Sequence, residues 1–425
     1  MRRRERGTES WSGHGGLDAC EGTQPRLALI LGAVVLLLAL TAVRVPAALA
    51  DTIPVGDGDV DGLIGAIDQA NSDPTATTIT LSPSATYVLT RAHGSVGDVG
   101  LPCITTTITI EGQGAVIKRE SEEDFRIFYV WPSGDLTLKN ATVMGGGSDI
   151  GPLAGGGILN WGGTLTIEGS TISSNTVAVA AIEDVGGGGI ANYTGTLTIK
   201  NSEILTNRTR SLDRSGGGGI YNTCSGVVSI NGTSITNNAA DGNPALGGGI
   251  ANESGSVTIV DSVVADKLAT HLLTMAAAGY DRVGDDGSTM AGGGAANAGA
   301  LTIRYSTVSS DTAPYGGGVY NAAGGTISLS SSTVCGNEAE YRGGGLLNDR
   351  YGIGTLVNCT ISGNSVDAGG GGLNNGGTLT ISHTTICTNT AEMGGGVYEG
   401  SPETVTFSHS IVAGNEADTA DEIYV

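Results

Sequence analysis

Near the start of the chain, Asp57-Gly58-Asp59-Val60-Asp61-Gly62 places carboxylates at alternate positions, with Ile64 and Asp68 following. Counted from Asp57, acids fall at positions 1, 3, 5 and 12, glycine at 6 and an aliphatic residue at 8. An EF-hand loop uses that spacing to wrap oxygen ligands around Ca²⁺. Asp57, Asp59, Asp61 and Asp68 are therefore candidate calcium ligands. Two features weigh the other way: the twelfth residue is Asp rather than Glu, and no pair of helical patterns flanks the stretch. An acidic N-terminal cap accounts for the same residues without a metal.

A second group of candidates sits in longer, irregular stretches. Leu268–Ala291 carries His271, Asp281, Arg282, Asp285 and Asp286, and a short helix is expected around Leu268–Ala278. Shorter stretches contribute Arg208, Arg210 and Arg214, together with Glu183, Asp184, Asp213 and Asp241. Mixed charges on loops suit recognition of a polysaccharide or cell-surface glycan, because a rigid scaffold can hold such loops in place. Tolerated insertion at a solvent-facing turn is the competing explanation.

Catalysis asks for more. A polysaccharide lyase needs clustered carboxylates for Ca²⁺ and an Arg or Lys base, and a hydrolase needs paired carboxylates at a set separation. The segments here present Thr, Ser, Gly and Asn instead. Beyond residue 50 the histidines are His93, His271, His383 and His409, each isolated, with no Ser-His-Asp order and no HExxH. No residue is assigned a catalytic role, and the balance leans toward a binding protein, with a polysaccharide lyase or hydrolase as the alternative.

What must position these residues is a repeat. GGG followed by an aliphatic or small residue starts at Gly155, Gly187, Gly217, Gly247, Gly292, Gly316, Gly343, Gly370 and Gly394, at spacings of 32, 30, 30, 45, 24, 27, 27 and 24. An Asn closes most of these segments (Asn160, Asn192, Asn222, Asn252, Asn297, Asn321, Asn348, Asn375), with Glu399 at the last. Each unit continues with a segment such as Gly-Thr-Leu-Thr-Ile and then one such as Ser-Thr-Ile-Ser-x-Asn, as at Ser170–Asn175, Ser332–Asn337 and Thr384–Asn389. Leu165 and Ile167 alternate with Thr164 and Thr166, the period of two that a strand imposes.

Periods of 20–50 residues mark solenoids or propellers. A minimal unit of 24 residues with three short strands is too small for a propeller blade. The expected fold is all-β: a right-handed parallel β-helix of about twelve coils, three short strands per coil. Glycine belongs at its corners, and Asn at equivalent corners can stack into ladders whose amides bond between coils. Counted from the third-segment Asn or its equivalent to the next GGG, the connections run 11, 9, 8, 24, 4, 5, 5 and 4 residues. All leave the same corner, so the long ones should cluster along one edge of the N-terminal half.

The GGG-[ILV]-x-N and I-x-x-N pattern over Gly155–Asn415 resembles the repeats of polymorphic outer-membrane proteins. It is also similar to secreted right-handed β-helix proteins of the pectin-lyase-like superfamily. Upstream, Ala66–Asn71, Thr78–Leu81 and Tyr87–Thr90 resemble the Cys-Ser-Leu-Arg-Glu-Ala-type segment that begins such proteins, with Asp61, Gly62, Ile64 and Gly65 in place of the Cys, Ser, Arg and Glu. The resemblance implies a right-handed helix and an extracellular or outer-membrane address. It implies no single activity.

The N-terminus reads as an address. Arg2, Arg3, Arg4 and Arg6 precede the uncharged run Leu27–Val43, and Ala48-Leu49-Ala50 is an A-x-A cleavage signature. Residues 1–50 are expected to be a signal peptide cleaved after Ala50, or an uncleaved anchor that would be the chain's one link to a membrane. Residues 51–150 should then form the N-terminal cap and first coils, and residues 151–425 the Gly-rich repeat. The net charge of −22 repels nucleic acid. Five cysteines beyond residue 50, an odd number without C-x-x-C, do not read as a disulfide framework.

Overall fold

The computed structural model describes residues 51–93, 98–149, 155–179, 185–211, 214–242, 244–271, 292–400 and 404–425. The expected leader, residues 1–50, lies outside them. Residues 48–425 make one compact unit, in which the divisions 51–150 and 151–425 are the start and continuation of a single solenoid. Every strand pairing is parallel and joins equivalent segments of successive repeats, as Leu197 does with Leu165 and Val228, and Ile204 with Ile172 and Ile235. The chain is a parallel β-helix, and its eleven-stranded sheet sets the count at about eleven turns, one fewer than the repeat count suggests.

One coil shows the design. After Gly187–Gly189, strand Ile190–Tyr193 joins the eleven-stranded sheet, and strands Thr196–Lys200 and Glu203–Leu205 follow in the longest sheet. A strand the repeat did not suggest comes next: Arg208–Ser211, in a ten-stranded sheet. Its residues are Arg, Thr and Ser, so no apolar alternation announces it. Two of the corners are held by residues in the left-handed region, Asn201 at φ 47° and Thr206 at 55°, and Gly187 at 74° opens the coil. A Cβ on Gly187 would lie 2.4 Å from the Ile190 carbonyl oxygen, which is why that place is glycine.

Inside, the aliphatic positions expected to face inward do so. Leu165, Ile167, Ile172, Ile199, Ile235 and Ile381 are all fully buried, and Ile250 is 1% exposed. Stacked aliphatics fill a narrow core, which explains how three Phe suffice for 425 residues.

Buried asparagines form two ladders beside this core. In the first, each Nδ2 donates to the Oδ1 of the next coil: Asn160 to Asn192 at 2.7 Å, Asn192 to Asn222 at 2.8 Å, and onward through Asn252, Asn297, Asn321 and Asn348 to Asn375. The second runs Asn175–Asn207–Asn238, breaks, and resumes Asn337–Asn364–Asn389–Asn415. A file of hydroxyls at Ser170, Ser202, Thr233 and Ser262 accepts backbone amides in the same way. Cys359 occupies a buried place in that file, and all five described cysteines are free thiols.

The N-terminal end is closed by helix Val60–Ser72. It buries Leu63, Ala66, Ile67 and Ala70 against the first coils, and Asp59 caps it by accepting from the Gly62 amide at 2.8 Å. Asp73 ends it ahead of Pro74. Asn71 ties the helix to the coil below, donating to the Cys103 carbonyl at 2.7 Å and accepting from the Thr105 amide at 2.9 Å. Among the described residues no helix is long and apolar enough to cross a membrane.

Candidate functional site

The acidic stretch folds differently from a calcium loop. An EF-hand keeps all twelve ligand-bearing positions in one loop. Here the chain turns helical at Val60, so Asp61 and Asp68 ride on the helix about two turns apart while Asp59 is engaged as its cap. Among the described residues no group of three or more His, Cys, Asp or Glu side chains is placed to hold a metal ion. Asp59 and Asp61 instead line an open cleft of about 540 Å³ with Ile64, Arg91 and His93. A guanidinium and an imidazole are poor company for a hard oxygen-seeking cation.

The long connections do leave from neighbouring places. Thr176–Val179, Arg208–Ser211, Ala239–Gly242 and Leu268–His271 are adjacent strands of the ten-stranded sheet, with Val179 opposite Ser211 and Gly242 opposite His271. Each connection opens with one of these four-residue strands, which leaves 7, 5, 4 and 20 residues before the next Gly-Gly-Gly. Leu268–His271 is itself a strand, so the helix expected from Leu268 does not begin there: pairing with Ala239–Gly242 claims its backbone bonds. Asp281, Arg282, Asp285 and Asp286, together with Glu183, Asp184 and Asp213, lie outside the described residues.

Arg208 and Arg210 are exposed on the outer face of that sheet, and Arg208 forms an ion pair with Asp241 of the next coil. Arg214, near the end of the same connection, pairs with Glu253. Glu253 also accepts from the Tyr221 hydroxyl and, at 3.1 Å, from Thr223. The structure thus brings Arg208, Arg210 and Asp241 together on one sheet and draws Arg214 toward the eleven-stranded sheet.

On that second sheet the sequence reading missed a stripe of aromatic rings. Trp131 and Trp161 are each 38% exposed, and their ring centroids are 5.9 Å apart. Tyr129 lies 5.3 Å from Trp131 and stacks on Trp161 at 6.2 Å with an 8° interplanar angle. Trp161 pairs in register with Tyr193, whose ring meets Tyr221 edge-on at 5.9 Å. Beneath, the buried Arg126 guanidinium lies 5.8 Å from the Tyr129 ring centre and donates to Ser148. Burial pushes the Tyr129 hydroxyl up to about 12 despite that cation. A signal was present: Trp131 and Trp161 are 30 residues apart, one coil, and Trp161 immediately follows a ladder Asn.

Lys267 and Asp311 occupy the two rungs missing from the second ladder. Lys267 Nζ donates to the carbonyls of Ile235 and Ala265, and Asp311 Oδ1 accepts the Lys267 amide at 3.1 Å. Burial lowers the Lys267 ammonium to about 7 and raises the Asp311 carboxyl well above its usual range, each opposed by the charge of the other. A lysine near neutrality suits a general base, but this one is 2% exposed and points into the solenoid, beyond reach of any substrate. It is a structural group.

No family model and no curated protein matches the chain. Among solved structures it is similar to pectate lyase Pel9A, with a TM-score of 0.42 and 15% identity over 86% of this chain and 80% of that one. It is similar to the A-module of the Azotobacter vinelandii mannuronan C-5 epimerase AlgE6, with a TM-score of 0.32 and 13% identity over 86% of this chain and all of that one. It is also similar to PfbA, a surface adhesin of Streptococcus pneumoniae, at 0.26 and 11%, over 85% of this chain and 89% of that one. Likenesses this distant do not transfer an activity.

Proposed function

We propose that the chain is an exported, non-enzymatic surface protein whose β-helix presents one edge for binding glycan or cell-surface polysaccharide. The observation that carries this reading is the edge itself. Four neighbouring strands of one sheet begin connections of 11, 9, 8 and 24 residues, the nine-residue one carrying Arg208, Arg210 and Arg214, on a chain of net charge −22. Core and ladders need none of this, since later coils close with four or five residues. Loops carried side by side on a rigid sheet are how solenoids build recognition surfaces.

The test is attachment to beads coated with a panel of neutral and acidic polysaccharides. Deleting residues 272–291, or replacing Arg208 and Arg210 with Ala, should abolish or reduce attachment while leaving the melting temperature nearly unchanged. Unaltered attachment by both variants would remove the edge from the function. Release of reducing ends or of unsaturated sugars from the beads would instead favour a polysaccharide-cleaving enzyme.

A further inference from the structure

We propose that Trp131 and Trp161, continued by the half-buried Tyr193 and backed by the buried rings of Tyr129 and Tyr221, form a stacking platform for a neutral, flat-faced polysaccharide lying along the solenoid axis. This rests on the glycan-binding reading and adds to its edge a second place, on the eleven-stranded sheet, with a ligand class of its own.

The platform is not a requirement of the fold. The chain has three Trp, and two of them sit in adjacent coils with 38% of their surface in water. At the same repeat position, later coils place Thr223, Glu253, Ala298 and Ala322 with the sheet unchanged. Adjoining exposed indoles on a monomer mark an interaction surface rather than incidental exposure. The rings are also held in place. Their strands carry the buried Val130–Asn160–Asn192 file on the opposite face, and Tyr129 is wedged between the two indoles and the Arg126 guanidinium. An amphipathic ring fixed in this way loses little conformational freedom on binding.

The geometry then selects the ligand. Successive coils are about 4.8 Å apart, close to the advance of one pyranose unit along an extended glycan. A stripe running over three coils from Trp131 through Trp161 to Tyr193, with Thr223 and Glu253 at the same position of the next two, therefore offers one ring per sugar. The C–H faces of pyranoses with equatorial hydroxyls pack against aromatic faces, leaving those hydroxyls at the rim. At the far end the partly exposed Glu253 carboxylate, held by the buried Tyr221 and Thr223 hydroxyls, can meet them.

Charge selects against polyuronates. The cations at the stripe are engaged within the protein: Arg126 is 3% exposed beneath Tyr129, and Arg214 is paired with Glu253. With a chain of net charge −22 around it, the stripe favours an uncharged partner.

The experiment titrates the full chain with cellohexaose as the neutral probe and polygalacturonate as the acidic one. We expect cellohexaose to bind, Trp131→Ala/Trp161→Ala to weaken it by about tenfold or more without shifting the melting temperature, and Trp131→Phe/Trp161→Phe to keep part of the affinity. Tyr351→Ala, on the exposed surface of a later coil, should leave cellohexaose binding unchanged. Unchanged cellohexaose affinity in the double Ala variant overturns the platform. Polygalacturonate binding that depends on Arg208 and Arg210, without cellohexaose binding, overturns the platform but leaves the glycan-binding edge standing. Loss of a dimer in the double Ala variant, with no effect on glycan, makes the stripe a contact between two copies of the chain and also overturns it.

Discussion

The coils before Gly292 and those after it are built on the same core and do different things on the outside. In both halves the inward positions are aliphatic and fully buried, as at Ile199 and Ile230 on one side and Leu329 and Ile381 on the other. The first Asn ladder crosses from one half to the other through Asn252, Asn297 and Asn321 without change of geometry. Outside, the N-terminal half carries the long connections, the three arginines and the aromatic stripe, while the C-terminal half closes its corners in four or five residues. The difference separates two demands on one sequence. Repetition of aliphatics, Gly and Asn makes the solenoid, and whatever departs from that repetition in the first half is surplus to folding.

The largest expected effect tests the shared core. Ile250→Asp buries an unpaired charge between Ile220 and Ala295 and should cost at least about 4 kcal/mol, enough to unfold the chain in a urea titration. A variant melting like the parent would refute the inward assignment. Next, Asn222→Ala and Asn364→Ala each remove ladder bonds and orphan a buried donor from the preceding coil, at roughly 2 kcal/mol apiece. Similar losses in the two variants would show that the halves share one stabilising device, and unequal losses would break that part of the comparison.

The seam between the halves gives a third test. In intact rungs an Asn amide donates to a carbonyl of the preceding coil, as Asn337 does to Val308 at 3.2 Å. Asp311 brings a carboxylate oxygen, Oδ2, to that slot, and it has no hydrogen-bond partner. Its raised folded pKa means the folded state holds the proton longer, so its contribution to stability falls as pH rises above the usual carboxylate range. Lys267 acts oppositely. Its folded pKa of about 7 against an ordinary 10.5 means the unfolded chain binds more protons between those values, and stability rises with pH there. Lys267→Asn/Asp311→Asn should restore both rungs, flatten the pH profile across both windows and stabilise the protein by about 1–3 kcal/mol at neutrality. A double variant with an unchanged profile would mean that the pair does not titrate on unfolding. The smallest effect is expected from deleting residues 272–291, within about 1 kcal/mol, because the entropy of closing a connection between strands changes little with its length.

The sequence made the solenoid legible because its physics is periodic: a Gly that must turn, an Asn that must reach the next coil and an aliphatic that must face inward recur at one spacing. Features that are not periodic were harder to read. Helix Val60–Ser72 occurs once, and its start coincides with an acidic spacing that imitates a metal loop. Strand Arg208–Ser211 escaped because what it buries are Thr209 and Ser211, where its neighbours bury Val or Ala. The aromatic stripe crosses coils rather than running along the chain, so its members are dispersed in sequence and meet only in register. Lys267 and Asp311 were visible as missing asparagines, but their burial and opposed titration required the packed ladder.

The most direct test of the division of labour is hydroxyl-radical footprinting of the full chain with and without cellohexaose. Trp131 and Trp161 report on the N-terminal half, and Tyr351, 70% exposed, reports on the C-terminal half within the same molecule. The account expects the glycan to protect both tryptophans while oxidation of Tyr351 stays the same. Protection of Tyr351 with the tryptophans left open would contradict it.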